Sequence, residues 1–124
     1  MISKTDILFV QRSIVDKYGG SLALRDEKAL DFAIKRLSET FGGRTFFETA
    51  QEKAAVLVER ILTDRPFVDN NERIAYVLLR LILKMEAMDL TASALDKQHL
   101  ITSVSKGEIK FEAILKWIQS NLAS

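Results

Sequence analysis

The apolar residues that follow Pro66 recur at helical spacing, and this pattern restricts the chain to a small set of folds. Seven of them form one stripe: Ile74, Val77, Leu78, Leu81, Ile82, Met85 and Met88. Three further apolar residues widen it: Ala75, Leu79 and Leu83. Residues three and four apart share one face of a helix. The pattern therefore predicts a helix from about Asn70 to Met88 that is central and buried on most sides, with Leu81 in the core.

A few helix-breaking residues divide the rest of the chain. Five glycines occur at three places, and Pro66 is the single proline. Proline inside a helix removes a hydrogen bond, so we expect the chain to turn at Pro66. The other predicted helices begin after Ser3 and end at Gly19-Gly20, run from Asp26 to about Thr40 and from Thr49 to Thr63, and cover residues 95–104 and 109–122.

Polar residues at the predicted helix starts support this division. Ser3 with Asp6 three residues later is typical of an N-cap, and Thr49 with Glu52 has capping-box spacing. No stretch of useful length alternates with the period of a strand. We therefore expect an all-α fold of about six helices around a central buried helix. A length of 124 residues suits one domain, so residues 1–124 are expected to form a single domain and a monomer.

Composition excludes several classes of function. A net charge of +1 argues against a DNA-binding protein that neutralises phosphates. The chain contains no cysteine and one histidine, His99, so it cannot form a disulfide, a thiolate site or a histidine-rich zinc site. His99 lies in a polar segment and is expected at the surface. With no long apolar run and no signal-peptide pattern, we expect a cytoplasmic protein without a membrane partner.

The segment before the long helix reads Arg65-Pro66-Phe67-Val68-Asp69-Asn70-Asn71-Glu72-Arg73. It resembles the signature of the Fic/Doc family, in its death-on-curing (Doc) branch, which is His-x-Phe-x-Asp/Asn-Ala/Gly-Asn-Lys/Gly-Arg. Four signature residues are kept: Phe67, Asp69, Asn71 and Arg73. Shorter similarities, including Phe41-Gly42-Gly43 before the family's substrate flap, extend the resemblance over about residues 6–120.

The resemblance implies a nucleotide triphosphate at the start of the long helix, where unpaired N–H groups favour an anion. It implies Mg²⁺ at Asp69, phosphate contacts from Asn71 and Arg73, and a core position for Phe67. Capping of the helix is an equal alternative for Asp69 and Asn71. Arg73 opposes the helix dipole, so phosphate contact is a reasonable role for it. Fic relatives mostly transfer AMP, whereas the Doc branch transfers phosphate to elongation factor Tu and is restrained by an antitoxin, Phd.

Two signature positions have changed. Arg65 stands where the family has the histidine that acts as general base, and a guanidinium is never deprotonated in proteins. Glu72 stands where the family has lysine or glycine, and its carboxylate would repel a triphosphate unless Mg²⁺ lay between them. We expect Arg65 to form an ion pair with Glu72 or Asp69 rather than to face an open catalytic cleft.

Three functions are compatible with the sequence. The first is an inactive relative that binds a peptide partner, such as an antitoxin, or a nucleotide. The second is an active Doc-like toxin that uses Mg²⁺ and a nucleotide triphosphate to modify a protein hydroxyl, for example on elongation factor Tu. The third is a helical interaction domain without a nucleotide site. The loss of the histidine favours the first over the second, and the length of the resemblance disfavours the third.

Overall fold

The computed structural model describes residues 2–123, which form six helices and one short hairpin. The helices are α1 (Lys4–Tyr18), α2 (Glu27–Arg36), α3 (Ala50–Asp64), α4 (Asn71–Lys84), α5 (Ala94–Ser105) and α6 (Phe111–Ser120). The strands are β1 (Thr40–Phe41) and β2 (Arg44–Thr45). The all-α prediction is confirmed. Within residues 2–123, no helix combines the length and the apolar character needed to cross a bilayer.

The caps explain where most helices begin. Ser3 and Thr49 each form a capping box with the acidic residue three positions later, as their spacing predicts, and Ser93 does the same at α5. Asp26 caps α2 through the N–H of Ala29. Each cap satisfies backbone donors that the helix itself leaves unpaired. The sequence therefore sets these helix starts locally.

The segment from Leu37 to Phe46 differs from the prediction. We expected α2 to reach about Thr40, but it ends at Arg36, and the chain turns into the β1–β2 hairpin. Gly42 and Gly43 form the tip with φ of 60° and 81°, which is the backbone that a two-residue hairpin turn requires. Two residues per strand are too few to produce an alternating pattern, so the sequence did not predict the hairpin.

The core is centred on two helices rather than one. α3 packs against α4 and also contacts α2, α5 and α6, while α4 packs against α3 on one side and α1 on the other. The buried residues of α3 are Ala54, Ala55, Val56, Leu57, Val58, Ile61 and Leu62. The central position predicted for α4 is therefore shared with α3, which lies between more neighbours.

The predicted buried face of α4 is partly wrong. Leu79 and Leu83 are fully buried, whereas Leu81 is 37% exposed and Met85 is more exposed still. The helix also ends at Lys84, before Met88. The apolar stripe is wider than the surface that α3 and α1 cover, and helical periodicity alone does not reveal which part of a wide stripe lies against a neighbour.

Truncation of the two leucines should distinguish the faces of α4. We expect Leu79→Ala to lower the free energy of unfolding by roughly 2–5 kcal/mol, because a cavity remains in the core. Leu81→Ala should cost about 1 kcal/mol or less, since its side chain is already partly solvated. Urea unfolding monitored by circular dichroism measures both values. Equal losses would contradict this assignment of faces.

Candidate functional site

The loop that resembles the Fic/Doc signature connects α3 to α4 and is held against the segment before α2. Leu24 and Phe67 form an antiparallel bridge. The N–H of Val68 donates to the carbonyl of Ala23 at 3.1 Å, and the N–H of Arg25 donates to the carbonyl of Pro66 at 2.7 Å. These bonds join two segments that are distant in sequence. The loop is therefore a fixed connection whose backbone groups are largely satisfied.

Phe67 and Asn71 lock this loop to the first turn of α4. The Phe67 ring is fully buried, as predicted, and Asn71 is only 2% exposed. The Asn71 side-chain Nδ2 donates to the carbonyl of Phe67 at 2.8 Å, and Oδ1 accepts from the N–H of Phe67 at 3.1 Å. For Asn71 we expected either a phosphate contact or capping of the helix. Instead both of its polar atoms bind protein backbone in the interior.

Asp69 and Asn70 hold the Gly19-Gly20 turn. The carboxylate of Asp69 accepts from the N–H of Ser21 at 2.8 Å, and Asn70 Nδ2 donates to the carbonyl of Gly19 at 3.0 Å. Gly20 has a φ of 103°, and a Cβ there would lie 2.9 Å from Asn70 Nδ2, so the close approach requires glycine. The sequence pattern predicted the glycine turn but not its contact with the loop.

The capping role considered for Asp69 is wrong. Asn70 is the N-cap of α4, and its side chain makes no capping hydrogen bond. Asp69 remains an exposed carboxylate with one oxygen engaged by Ser21. No group of three or more metal-ligating side chains occurs among residues 2–123. Mg²⁺ is often bound through one or two carboxylates together with ligand phosphates, so Asp69 could hold it only in that way.

Arg65 is fixed by its backbone as well as by its side chain. It is the C-cap of α3 in the left-handed conformation, with φ of 48°, which is uncommon for a residue other than glycine. Arg25 donates from Nε to the carbonyl of Arg65 at 2.6 Å and from Nη2 to the carbonyl of Asp64. These bonds satisfy carbonyls at the end of α3. Arg25 is thus part of the site, although no sequence signal assigned it there.

The predicted ion pair between Arg65 and Glu72 is confirmed. Arg65 Nη2 lies 2.8 Å from Glu72 Oε1. Partial burial raises the pKa of the Glu72 carboxyl, but hydrogen bonds from its own backbone N–H and from Arg65 outweigh burial and leave the pKa below its ordinary value. A carboxylate at a helix start also interacts favourably with the helix dipole. Glu72 therefore supplies an anion of the protein itself at the place where a bound anion was expected.

Arg73 and Tyr76 lie near the start of α4, and each contacts a residue of another helix. Arg73 Nη1 donates to Asn70 Oδ1 at 3.1 Å, and its guanidinium lies 4.3 Å from the centre of the Tyr18 ring. Tyr76 is covered by Lys97 of α5, whose ammonium lies 4.7 Å from the ring centre. Lys97 comes from a distant segment, so no sequence pattern predicted its position here. His99, also on α5, is exposed as expected.

Two guanidinium groups lie at this loop. Arg65 and Arg73 can donate to an anion, but neither guanidinium can accept a proton. The nearest acid along the chain, Asp64, faces Arg60 at 3.5 Å. Glu72 is engaged by Arg65 and by its own N–H. Arg65, which stands at the position of the family's histidine, is therefore not a general base.

The six-helix fold and the signature loop between α3 and α4 define a domain of the Fic/Doc class. A model of the Fic/DOC family matches residues 1–83, and the chain belongs to that family. It is also similar to Toxin Doc of Mycolicibacterium smegmatis (strain ATCC 700084 / mc(2)155), with 31% identity over 75 residues. The aligned stretch covers 60% of this chain and 58% of that relative, so less than two thirds of its length is matched.

Loss of the Asn71 side chain should disrupt the loop. We expect Asn71→Ala to lower the free energy of unfolding by about 2–4 kcal/mol, because two buried backbone groups of Phe67 lose their partners. Asn121→Ala is a suitable control, since the Asn121 side chain makes one hydrogen bond, to the carbonyl of Trp117 at a helix end. It should cost about 1 kcal/mol. An Asn71→Ala cost no larger than that of the control would contradict the proposed clamp.

The Arg65–Glu72 pair should make stability depend on pH. The folded-state pKa of Glu72 is lowered, so its contribution is complete above the ordinary glutamate value and is lost as pH falls through the folded value. The stability advantage of the wild type over Glu72→Gln should therefore be largest near neutral pH and disappear in acid. Thermal unfolding across this pH range measures it. The same comparison in an Arg65→Gln background should give a smaller advantage, and an equal one would refute the coupling.

Proposed function

We propose that this chain is a Doc-like protein of the toxin family that has lost transfer chemistry and acts by binding a protein partner. The observation that supports this proposal is the 2.8 Å ion pair between Arg65 and Glu72. It occupies two signature positions that in the family serve the nucleotide and the hydroxyl. The same two residues therefore remove the proton acceptor and place a negative charge beside the expected phosphate position.

The missing base accounts for one part of the expected loss. A general base needs a pKa near the working pH, and a guanidinium stays protonated. Removal of a general base lowers a rate by about 10²–10⁴-fold. The ion pair and the left-handed backbone further fix Arg65, so that its side chain is not free to leave the loop without breaking contacts.

Glu72 accounts for the other part. Its lowered pKa keeps the carboxylate charged at neutral pH. Repulsion between this charge and a phosphate a few ångströms away is worth on the order of 1–4 kcal/mol in a partly screened site. A triphosphate would therefore have to displace Arg65 or bring Mg²⁺ between the two charges. Weak triphosphate binding at the α4 N-terminus follows from this competition.

An apolar groove between α1 and α4 supports the binding role. Its volume is about 660 Å³. Five exposed apolar side chains line it: Phe9, Tyr18, Val77, Leu81 and Met85. Phe9 is 70% exposed, and contiguous apolar surface of this kind is typical of an interaction site. A partner helix in this groove would cover the part of the apolar stripe of α4 that the protein's own helices leave exposed.

The partner that best fits this groove is an amphipathic helix of an antitoxin. Helices bind apolar grooves through side chains at helical spacing. Asp6 lies near one end of the groove and Lys17 near the other. This favours a helix with a basic residue near Asp6 and an acidic residue near Lys17. The similarity to a protein named Toxin Doc supports the proposal that such a partner is an antitoxin.

An active toxin is the alternative. Asp69 and Arg73 are exposed beside the α4 N-terminus, where the family binds Mg²⁺ and phosphate. If a base were supplied from elsewhere, the chain could transfer phosphate or AMP from a nucleotide triphosphate to a protein hydroxyl such as one on elongation factor Tu. Mg²⁺ would supply charge neutralisation at the phosphates. Asp69 would orient the ion, and Arg73 would hold the phosphate.

Reversion of the two changed positions should separate their effects. We expect Arg65→His alone to recover little transfer, because Glu72 still repels the phosphate, and Glu72→Lys alone to recover none, because no base is present. The double variant should recover more than the two single variants combined, since groups that act on one transition state are not additive. Transfer of label from γ- and α-labelled ATP to elongation factor Tu measures this. Full recovery by Arg65→His alone would contradict the role given to Glu72.

A charge placed in the groove should prevent partner binding. We expect Leu81→Asp to weaken binding of the product of an adjacent small antitoxin-like gene by at least about 100-fold, because a desolvated carboxylate would face an apolar helix. Phe32→Asp is a matched control, as Phe32 is exposed on α2 outside the groove. Calorimetric titration measures both. Equal loss in the two variants, or none in Leu81→Asp, would place the partner elsewhere.

A further inference from the structure

A second pocket lies at the end of α4 that is opposite the signature loop. Its volume is about 460 Å³. The first turn of α3 and the end of α4 form its walls. At 1.5 Å per helical residue, it lies roughly 20 Å from the start of α4. The signature segment, residues 65–73, does not line it. The contacts of this pocket are therefore independent of the signature loop.

This pocket is continuous with the partner groove between α1 and α4. Ile2 and Met85 line both of them. Along α4, exposed apolar side chains recur every fourth residue at Val77, Leu81 and Met85, so they lie on one face of the helix. The half-buried Met88 continues this row into the pocket. The groove and the pocket thus form one elongated apolar surface.

The length of the groove determines where a partner helix reaches the pocket. On α1 the groove extends from Asp6 to Tyr18, which is roughly 18 Å along the helix axis. A partner helix of about 12 residues has this length. Because Ile2 lies at the Asp6 end, residues of the partner that continue past this end lie over the pocket.

The pocket carries carboxylates that have no ionic partner. Glu48 and Glu86 line it, and both are exposed. Among residues 2–123, no cation lies within 4 Å of either carboxylate. Asp6 adds a third carboxylate at the adjoining end of the groove, whereas Lys53 is the cation among the residues that line the pocket. The charge at this end of the surface is therefore negative.

We propose that this pocket holds a basic segment of the same partner, which continues beyond the helix bound in the groove. The inference rests on the proposed partner binding and adds a second, electrostatic contact to it. Lysine or arginine side chains of the partner lie with their aliphatic parts against Met85 and Met88 and with their charged ends at Glu48 and Glu86. Long cationic side chains commonly cover apolar surface in this way, and methionine adapts its shape to a bound partner.

The charges of the pocket disfavour other continuations of the partner. An apolar segment would cover the two carboxylates without giving them a hydrogen-bond partner, which costs free energy. An acidic segment would be repelled by them. A basic segment satisfies the carboxylates and also covers the apolar floor that Ile2 and Ile82 form. The acidic pocket thereby fixes the direction in which the partner lies along the groove.

Charge variants test the pocket separately from the groove. The probe is the product of an adjacent small antitoxin-like gene, titrated calorimetrically at about 0.15 M salt, where exposed charges more than roughly 8 Å apart are largely screened. The double variant Glu48→Lys/Glu86→Lys should weaken binding by about tenfold or more, because attractions become repulsions. Glu108→Lys/Glu112→Lys changes the net charge equally at exposed residues that line neither cavity, and it should leave binding unchanged.

A variant of opposite sign guards against a folding defect. Lys53→Glu should strengthen binding by about threefold or more, because it removes the cation of the pocket and adds a carboxylate. A folding defect cannot produce tighter binding, so this variant remains decisive even if the double variant is unstable.

Leu81→Asp distinguishes failure of the pocket from failure of the groove. Loss of binding in Leu81→Asp together with unchanged binding in Glu48→Lys/Glu86→Lys would overturn the pocket and leave the groove proposal intact. Absence of binding to the wild-type chain would overturn both. Equal losses in the pocket variant and its control, or binding by Lys53→Glu that is no tighter than wild type, would also overturn the pocket.

Discussion

The two hydrogen bonds between the Asn71 side chain and the backbone of Phe67 hold the site together. They are buried, at 2.8 Å and 3.1 Å, and they join the connecting loop to the first turn of α4. Loss of either partner would leave a polar group unsatisfied in the core. Because Phe67 also pairs with Leu24, these two hydrogen bonds connect α4 and the loop to the segment before α2.

The position of Arg65 follows from that constraint. With Phe67 and Pro66 fixed, the end of α3 must turn sharply, and Arg65 adopts the left-handed conformation while Arg25 binds the carbonyls of Asp64 and Arg65. Its side chain then reaches Glu72. The loop is thus held in place by residues that serve structure, while Arg65 and Glu72, at two signature positions, form a salt bridge. A half-exposed bridge of this kind contributes little to stability.

Local signals in the sequence predicted much of this arrangement, and tertiary contacts decided the rest. Ser3, Thr49 and Pro66 act through their own neighbours in the chain, so the helix starts and the turn could be predicted. The Arg65–Glu72 pair could be predicted because both residues replace signature positions that serve one site. The exposure of Leu81, the bond from Ser21 to Asp69 and the contact of Lys97 with Tyr76 depend on distant segments. No periodicity or spacing contains that information.

The central claim is that the wild-type loop binds but does not transfer, and one measurement tests it most directly. Wild-type protein is incubated with Mg²⁺ and γ- or α-labelled ATP, once with elongation factor Tu and once with a cell extract that covers other targets. We predict no protein-bound label above that of the same mixture without the chain, because no group at the Arg65 position can accept the hydroxyl proton. Label that accumulates with time and in proportion to the wild-type chain would contradict this account and require a base elsewhere in the fold.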